Sequence, residues 1–287
     1  MAPSLGGWAD GRANLKALVI VNEKAGSLGA GDRERLLSQL KALGVHPIKT
    51  MSDIRELVER DASGADLVIV LGGDGTARMA AATFSAGPPL VLLPGGTLNV
   101  LPHALYGALA WPEALQAALT RGRIARLTGG DANGRKFFVA AMFGAPSLLA
   151  RARESARLGR LAVMIYRLRL AFNRMLSRRL AVRPAGGVAS RAEAVGVLCP
   201  AYSGGVEGRS LEWVRLDVAR VLDFLRVGLR SVIGGWRDDP TIAISNCSSG
   251  EIRSIGIIPA VLDGEPVTFV SKVRIRILSG GPKVLMV

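Results

Sequence analysis

The residues most apt for chemistry stand together at Gly72-Gly73-Asp74-Gly75-Thr76. Glycines let a backbone approach phosphate oxygens and aim amide N–H groups at them. Asp74 could hold Mg2+ or orient a hydroxyl, and Thr76 adds a hydroxyl donor near a helix start. An aspartate flanked by glycines at a strand end is unusual for a plain turn, so the pattern points to a phosphate-bearing ligand. Pro94-Gly95-Gly96-Thr97-Leu98-Asn99 repeats the logic. Alone it reads equally well as a turn; the two loops together make a cradle. A third polar loop, Asn22-Glu23-Lys24-Ala25-Gly26-Ser27, could close over adenosine or phosphate. There is no G-x-x-x-x-G-K-[ST], which excludes a P-loop enzyme. No G-x-G-x-x-G follows the first strand, which argues against a Rossmann dehydrogenase.

These loops need a frame. Lys16–Asn22, Ala65–Leu71 and Leu90–Leu93 are continuous apolar runs, the pattern of buried parallel strands, and Val45–Thr50 adds another. Helices are expected from Asp32, as cap, to about Leu43, from Ser52 to about Asp61, from Thr76 to Phe84, and from Pro112 to near Thr120. Alternating strands and helices imply a parallel sheet covered on both faces. Ligands of such sheets bind outside the carboxyl ends of the strands, where all three loops fall. After about Arg123 the pattern becomes mainly β. Strands are expected at Phe137–Met142, Ala194–Cys199, Leu211–Leu216, Thr241–Ser245, Val267–Val270 and Lys272–Leu278. Helical segments interrupt them at about Ala150–Leu180 and Ala219–Ile233. The expected division is residues 1–124 and 125–287, with the last strand a candidate to return to the first domain.

Composition narrows the partners. The chain of 287 residues carries 37 basic against 23 acidic side chains, a net charge of +14, and most of the excess is arginine. Such a balance favours polyanions or phosphate-bearing substrates. Cys199 and Cys247 form no CxxC pair, so a disulfide framework or zinc site is not expected and a reducing cytoplasm is. Met1–Asn14 has no apolar core region, and no run reaches the ~18 apolar residues of a membrane span. Arg151–Arg183 holds ten arginines and one acid, Glu154. Leu158, Leu161, Ile165, Leu168, Phe172 and Met175 recur there at helical spacing. This reads either as a basic amphipathic helix lying on a membrane, with Arg160, Arg167 and Arg174 as contacts, or as a core-packed helix with a solvated face. Nucleic acid is not expected, since stacking aromatics are scarce. His46 and His103 are isolated and read as structural.

In motif order, Gly72–Thr76, Pro94–Asn99 and Leu262-Asp263-Gly264-Glu265 resemble the diacylglycerol kinase catalytic-domain family. That family includes sphingosine and ceramide kinases and soluble bacterial lipid kinases. The resemblance runs from about Lys16 to the C-terminus. It implies an α/β, phosphofructokinase-like nucleotide domain followed by a mainly β, sandwich-like domain, with the active site in the cleft between them. It implies ATP and Mg2+ as cofactors. Asn22, Gly26, Thr50, Gly72, Gly73, Asp74, Gly75, Thr76, Gly95, Gly96, Thr97 and Asn99 would surround the nucleotide, and Asp74 would ligate the metal. Asp263 would be the base for the acceptor hydroxyl, with Glu265 beside it; whether Asp74 shares that role stays open.

The implied acceptor is the primary hydroxyl of a neutral lipid (diacylglycerol, ceramide or a sphingoid base), met at the inner face of an anionic membrane. A homodimer is left open. The chain departs from the family pattern at Arg78-Met79, at Val100, at Thr128 and at Ser210-Leu211-Glu212, which thins the usual carboxylate network around the metal. Two rival readings remain. One is an NAD kinase, which shares the GGDGT loop but should carry its Asn-Glu pair downstream, whereas here it is Asn22-Glu23. The other is a membrane-surface nucleotide sensor without turnover.

Overall fold

The computed structural model describes residues 14–52, 57–144, 180–203, 205–217, 236–278 and 280–287. In chain order the elements begin β1 (Leu15–Val21), α1 (Asp32–Ala42), β2 (Val45–Met51), β3 (Leu67–Gly72), α2 (Asp74–Thr83), β4 (Leu90–Pro94), α3 (Val100–Tyr106) and α4 (Trp111–Arg121). Short strands follow: β5 (Arg123–Arg126), β6 (Gly129–Ala132), β7 (Arg135–Phe137), β8 (Ala140–Gly144), β9 (Leu180–Pro184), β10 (Ser190–Ala192), β11 (Ala194–Leu198) and β12 (Leu211–Leu216). The last are β13 (Ile242–Cys247), the long pair β14 (Ser249–Leu262) and β15 (Glu265–Leu278), and β16 (Lys283–Met286). Among the described residues no helix is long and apolar enough to cross a membrane.

The chain divides into two units. The first comprises residues 1–129, 200–208 and 279–287. Its six-stranded sheet runs β2-β1-β3-β4-β16-β5, parallel except for the antiparallel edge pair β16–β5. Every residue of β3 and β4, and all but Lys16 of β1, is buried. Their unbroken apolar runs match strands covered by helices on both faces. Sheet order reverses between β1 and β3, since β2 lies on one side of β1 and β3 on the other. A crevice at the carboxyl ends belongs at such a reversal. The unit boundary falls at Gly129 rather than at residue 124, because β5 pairs with β16 inside the first sheet.

Helix α1 starts as expected, but its cap is Gly31, in the left-handed conformation; Asp32 is the first helical residue, and its Oδ2 accepts a bond from the Gly29 N–H. The helix expected from Ser52 crosses residues 53–56, which lie outside the described residues, and ends in a single 3-10 turn at Glu59–Ala62. Helix α3 has no counterpart in the sequence reading. Its seven residues, with Pro102 inside, are too few to show a helical period.

The second unit comprises residues 130–199 and 209–278, built on a ten-stranded sheet whose main path is β13-β12-β11-β8-β14-β15-β6-β7. Phe137, Phe143, Val195, Trp213, Ile252 and Ile258 are among the side chains that meet in its core. The two short strands expected at Val267–Val270 and Lys272–Leu278 are one strand, β15, with Ser271 in the left-handed region between them. β14 was not anticipated, because Gly256 and Pro259 interrupt its alternation; its register against β15 slips between Arg253 and Ile257. The strand expected at Phe137–Met142 instead breaks into β7 and β8 around Phe138 and Val139. The helical segment expected at Ala150–Leu180, with Arg160, Arg167 and Arg174, lies outside the described residues apart from Leu180, which begins β9. The segment expected at Ala219–Ile233 lies wholly outside them.

Candidate nucleotide site

Three strand ends of the first unit converge. The Asn22 N–H bonds to the Leu71 carbonyl, the Gly95 N–H to Gly72, and the Ser27 N–H to Gly95, over 2.9, 2.8 and 3.2 Å. The loops after β1, β3 and β4 are thus stitched backbone to backbone. Asn22 Nδ2 donates to Thr76 Oγ1 at 2.9 Å, and Asn22 Oδ1 accepts from the Lys24 N–H.

The glycines divide by task. A Cβ on Gly96 would lie 2.6 Å from Gly73 Cα, and one on Gly95 3.0 Å from the Gly72 nitrogen. A Cβ on Gly72 would strike the Thr76 side chain at 2.9 Å. These three are required by the packing of loop on loop. Gly75 differs: it is exposed, and a Cβ there meets nothing within 4 Å. Its backbone faces open space at the first turn of α2. Gly26 lies against Thr97, whose Oγ1 would be 3.0 Å from a Cβ on that glycine.

Helix α2 begins at Asp74 behind Gly73, and no side chain caps it. The first amides of a helix lack intrahelical partners and carry the positive end of its dipole. Together with exposed Lys24, Ser27 and Thr97, this mouth suits an anion.

Two of the expected nucleotide residues also make bonds within the chain. Asn99, left-handed at φ 50°, exchanges two bonds of 2.7 Å with the backbone of Gly96, one given and one received. Asp74 Oδ1 accepts the Leu101 N–H at 3.2 Å, at the start of α3. Burial pushes the Asp74 carboxyl above its ordinary value, against the lowering effect of the Leu101, Asn99 and Val100 amides and of His103. Thr50 stands near the end of β2, opposite Val19 of β1.

Asp263 and Glu265 belong to the second unit. Asp263 and Gly264 both have positive φ, 47° and 85°, and form the two-residue link between β14 and β15, as a tight hairpin requires. The Asp263 carboxylate accepts three backbone N–H bonds, from Phe138 at 2.7 Å and from Val139 and Ala140 at 2.9 Å. It is this brace that breaks the expected strand at Phe138. Glu265 is exposed at the start of β15. Thr128 ties down the returning segment: its Oγ1 accepts from Gly208 N–H and donates to Gly208 carbonyl.

Among the described residues no three His, Cys, Asp or Glu side chains gather as a metal site. The Asp74 carboxylate already accepts the Leu101 N–H. Mg2+ is commonly bound through one or two carboxylates plus substrate phosphates, and Asp74 is the side chain of this mouth that would hold it.

The first unit is an α/β fold with a glycine-stitched mouth at the reversal of a parallel sheet. Residues 16–131 match the diacylglycerol kinase catalytic domain. Among solved structures it is similar to a candidate diacylglycerol kinase from Bacillus anthracis str. Sterne, at 21% identity and a TM-score of 0.71, over 95% of this chain and 97% of that one. Another structure, of a diacylglycerol kinase from the same strain, aligns at 19% identity and 0.68 over the same shares. An NAD kinase from Archaeoglobus fulgidus in complex with ATP aligns at 16% identity and 0.57, over 94% and 93%. These likenesses establish the shared fold. Comparison with curated proteins found no significant match.

Proposed function

We propose that the chain transfers the γ-phosphoryl group of ATP to the hydroxyl of a neutral lipid. The observation that carries this is the convergence of three strand-end loops on the uncapped start of α2, within the segment that matches the kinase catalytic domain. In this reading the amides of Asp74–Thr76, with Asn22, Thr97 and exposed Lys24, hold the triphosphate. The acceptor oxygen attacks the γ-phosphorus, ADP leaves, and the hydroxyl proton passes to a carboxylate. Asp74 and Asp263 are the candidates for that carboxylate, with Glu265 beside the second. Burial raises the affinity of Asp74 for a proton, which suits a base.

One observation favours a second reading, a nucleotide sensor without turnover: Asp74 accepts the Leu101 N–H at the start of α3, and among the described residues no three His, Cys, Asp or Glu side chains gather as a metal site. Labelled ATP offered in parallel with dispersed diacylglycerol, ceramide, sphingoid base and NAD decides between them. Transfer of label to one lipid is expected. ATP binding with no labelled lipid would establish the sensor, and label on NAD instead would establish an NAD kinase.

A further inference from the structure

The outer face of β14–β15 divides into a basic half and an apolar half. Period-two alternation puts Ile252, Ile258, Phe269, Val273 and Ile275 in the core, so their strand neighbours face out. Arg183 lies opposite Glu251, and Glu251 opposite Arg274; Ser249 faces Arg276, and Arg253 faces Lys272. Arg183, Arg253, Lys272, Arg274 and Arg276 thus share one sheet face with Glu251 and Asp131, and Lys136 stands opposite Asp131. Glu251 pairs with Lys272 at 2.6 Å, with Arg274 at 3.4 Å and with Arg253, while Asp131 stands 3.9 Å from Arg276. The cations on this face outnumber the acids. Arg183, Arg274 and Arg276, with Asp131, Glu251 and Gly186, line an open cavity of about 720 Å³.

Immediately past the Arg253–Lys272 pair the character changes. The register slips, Gly256 turns left-handed, and Ile257 comes opposite Val270. Ile255 is 91% exposed, Val270 73% and Ile257 58%. Large apolar side chains this open, on an irregular piece of a hairpin, cost free energy in water unless something covers them.

The geometry points to this face as a docking surface for an anionic phospholipid membrane, with Ile255, Ile257 and Val270 entering the acyl boundary and the arginine-lined cavity taking phosphate headgroups. An apolar wedge beside a cationic shelf supplies the two weak signals that interfacial binding combines. The charge excess selects an anionic surface, and guanidinium forks suit phosphate. The inference does not depend on turnover.

The test is flotation of the full chain, without nucleotide, with vesicles of phosphatidylglycerol in phosphatidylcholine or of phosphatidylcholine alone, across a salt series. Wild type should bind the anionic vesicles. Arg274→Gln with Arg276→Gln should weaken binding about thirty-fold at low salt, at about five-fold per arginine, and the gap should close as salt screens the charges. Ile255→Ser with Ile257→Thr and Val270→Thr should weaken binding at every salt concentration. Both variants should melt and bind ATP as wild type does, which separates this failure from failure of the kinase reading. Vesicle binding equal to wild type in both variants would overturn the inference. So would complete competition by inorganic phosphate, which would make the cavity a small-anion site, or a monomer–dimer change in the isoleucine variant alone, which would make the face an interface between copies of the chain.

Discussion

Asn22 Nδ2 donates to Thr76 Oγ1 across 54 residues of sequence, at 2.9 Å. The bond ties the end of β1 to the third residue of α2, on either side of the reversal in sheet order. Thr76→Val keeps the shape and removes the oxygen. It should leave the Asn22 amide unpaired and weaken ATP binding about ten-fold, the worth of one well-made hydrogen bond. Nucleotide titration by calorimetry measures this; unchanged affinity would mean that the orientation of Asn22 is irrelevant to the ligand.

Gly75 and Gly96 should behave oppositely. At Gly96 an added methyl meets Gly73 Cα, so Gly96→Ala should force the loops apart and cost about 1–3 kcal/mol of stability, as overpacking does. At Gly75 it meets nothing, so Gly75→Ala should leave the melting temperature unchanged or raise it slightly, since alanine suits a helix better by up to about 1 kcal/mol. That same methyl stands in the mouth where the nucleotide phosphate is placed, and ATP affinity should fall. A Gly75→Ala protein that binds ATP normally would put the phosphate elsewhere.

Asp74→Asn should abolish transfer without lowering the melting temperature. Burial raises the Asp74 proton affinity in the folded chain. Its charged form is therefore disfavoured by folding, and stability from this group is highest below the ordinary carboxyl value of 3.8 and declines as pH rises through the higher folded value. Asparagine removes that decline. Melting of wild type and variant from acid to neutral pH should show the variant gaining on wild type; a constant gap would contradict the buried-charge account.

Asp263→Asn tests a brace as well as a base. An amide in place of the carboxylate puts a donor where the N–H groups of Phe138, Val139 and Ala140 need acceptors. At least one should go unpaired, costing about 1–3 kcal/mol. The variant should melt earlier, by a shift readable in a thermal scan. A large loss of rate with the wild-type melting temperature would assign Asp263 to proton transfer alone.

The first unit was legible where hydrophobic period and loop chemistry agreed. Ala17–Val21, Leu67–Leu71 and Leu90–Leu93 are buried on both sides, so an unbroken apolar run sufficed to locate them. The glycine loops were legible as a cradle, but not as a mutual fit: that Gly96 is glycine because of Gly73 is a contact across 23 residues, which local pattern does not carry. Asp74 and Asn99 were assigned to the nucleotide on residue type. Which way they turn depends on α3, whose seven residues gave no period to read. In the second unit β14 was hidden by Gly256 and Pro259, and the brace from Asp263 to Phe138 spans 125 residues.

β16 lies between β4 and β5, supplying the parallel partner of one and the antiparallel partner of the other. During synthesis, then, the first sheet emerges early but stays open along β4 until residues 283–286 leave the ribosome. Until that moment Leu90–Pro94 presents a fully apolar strand with one free edge, the kind of surface that recruits other chains. Its closure joins positions almost two hundred residues apart, a pairing that should come late and slowly. A nascent chain stalled before β16 should therefore be more prone to aggregate than one released with it.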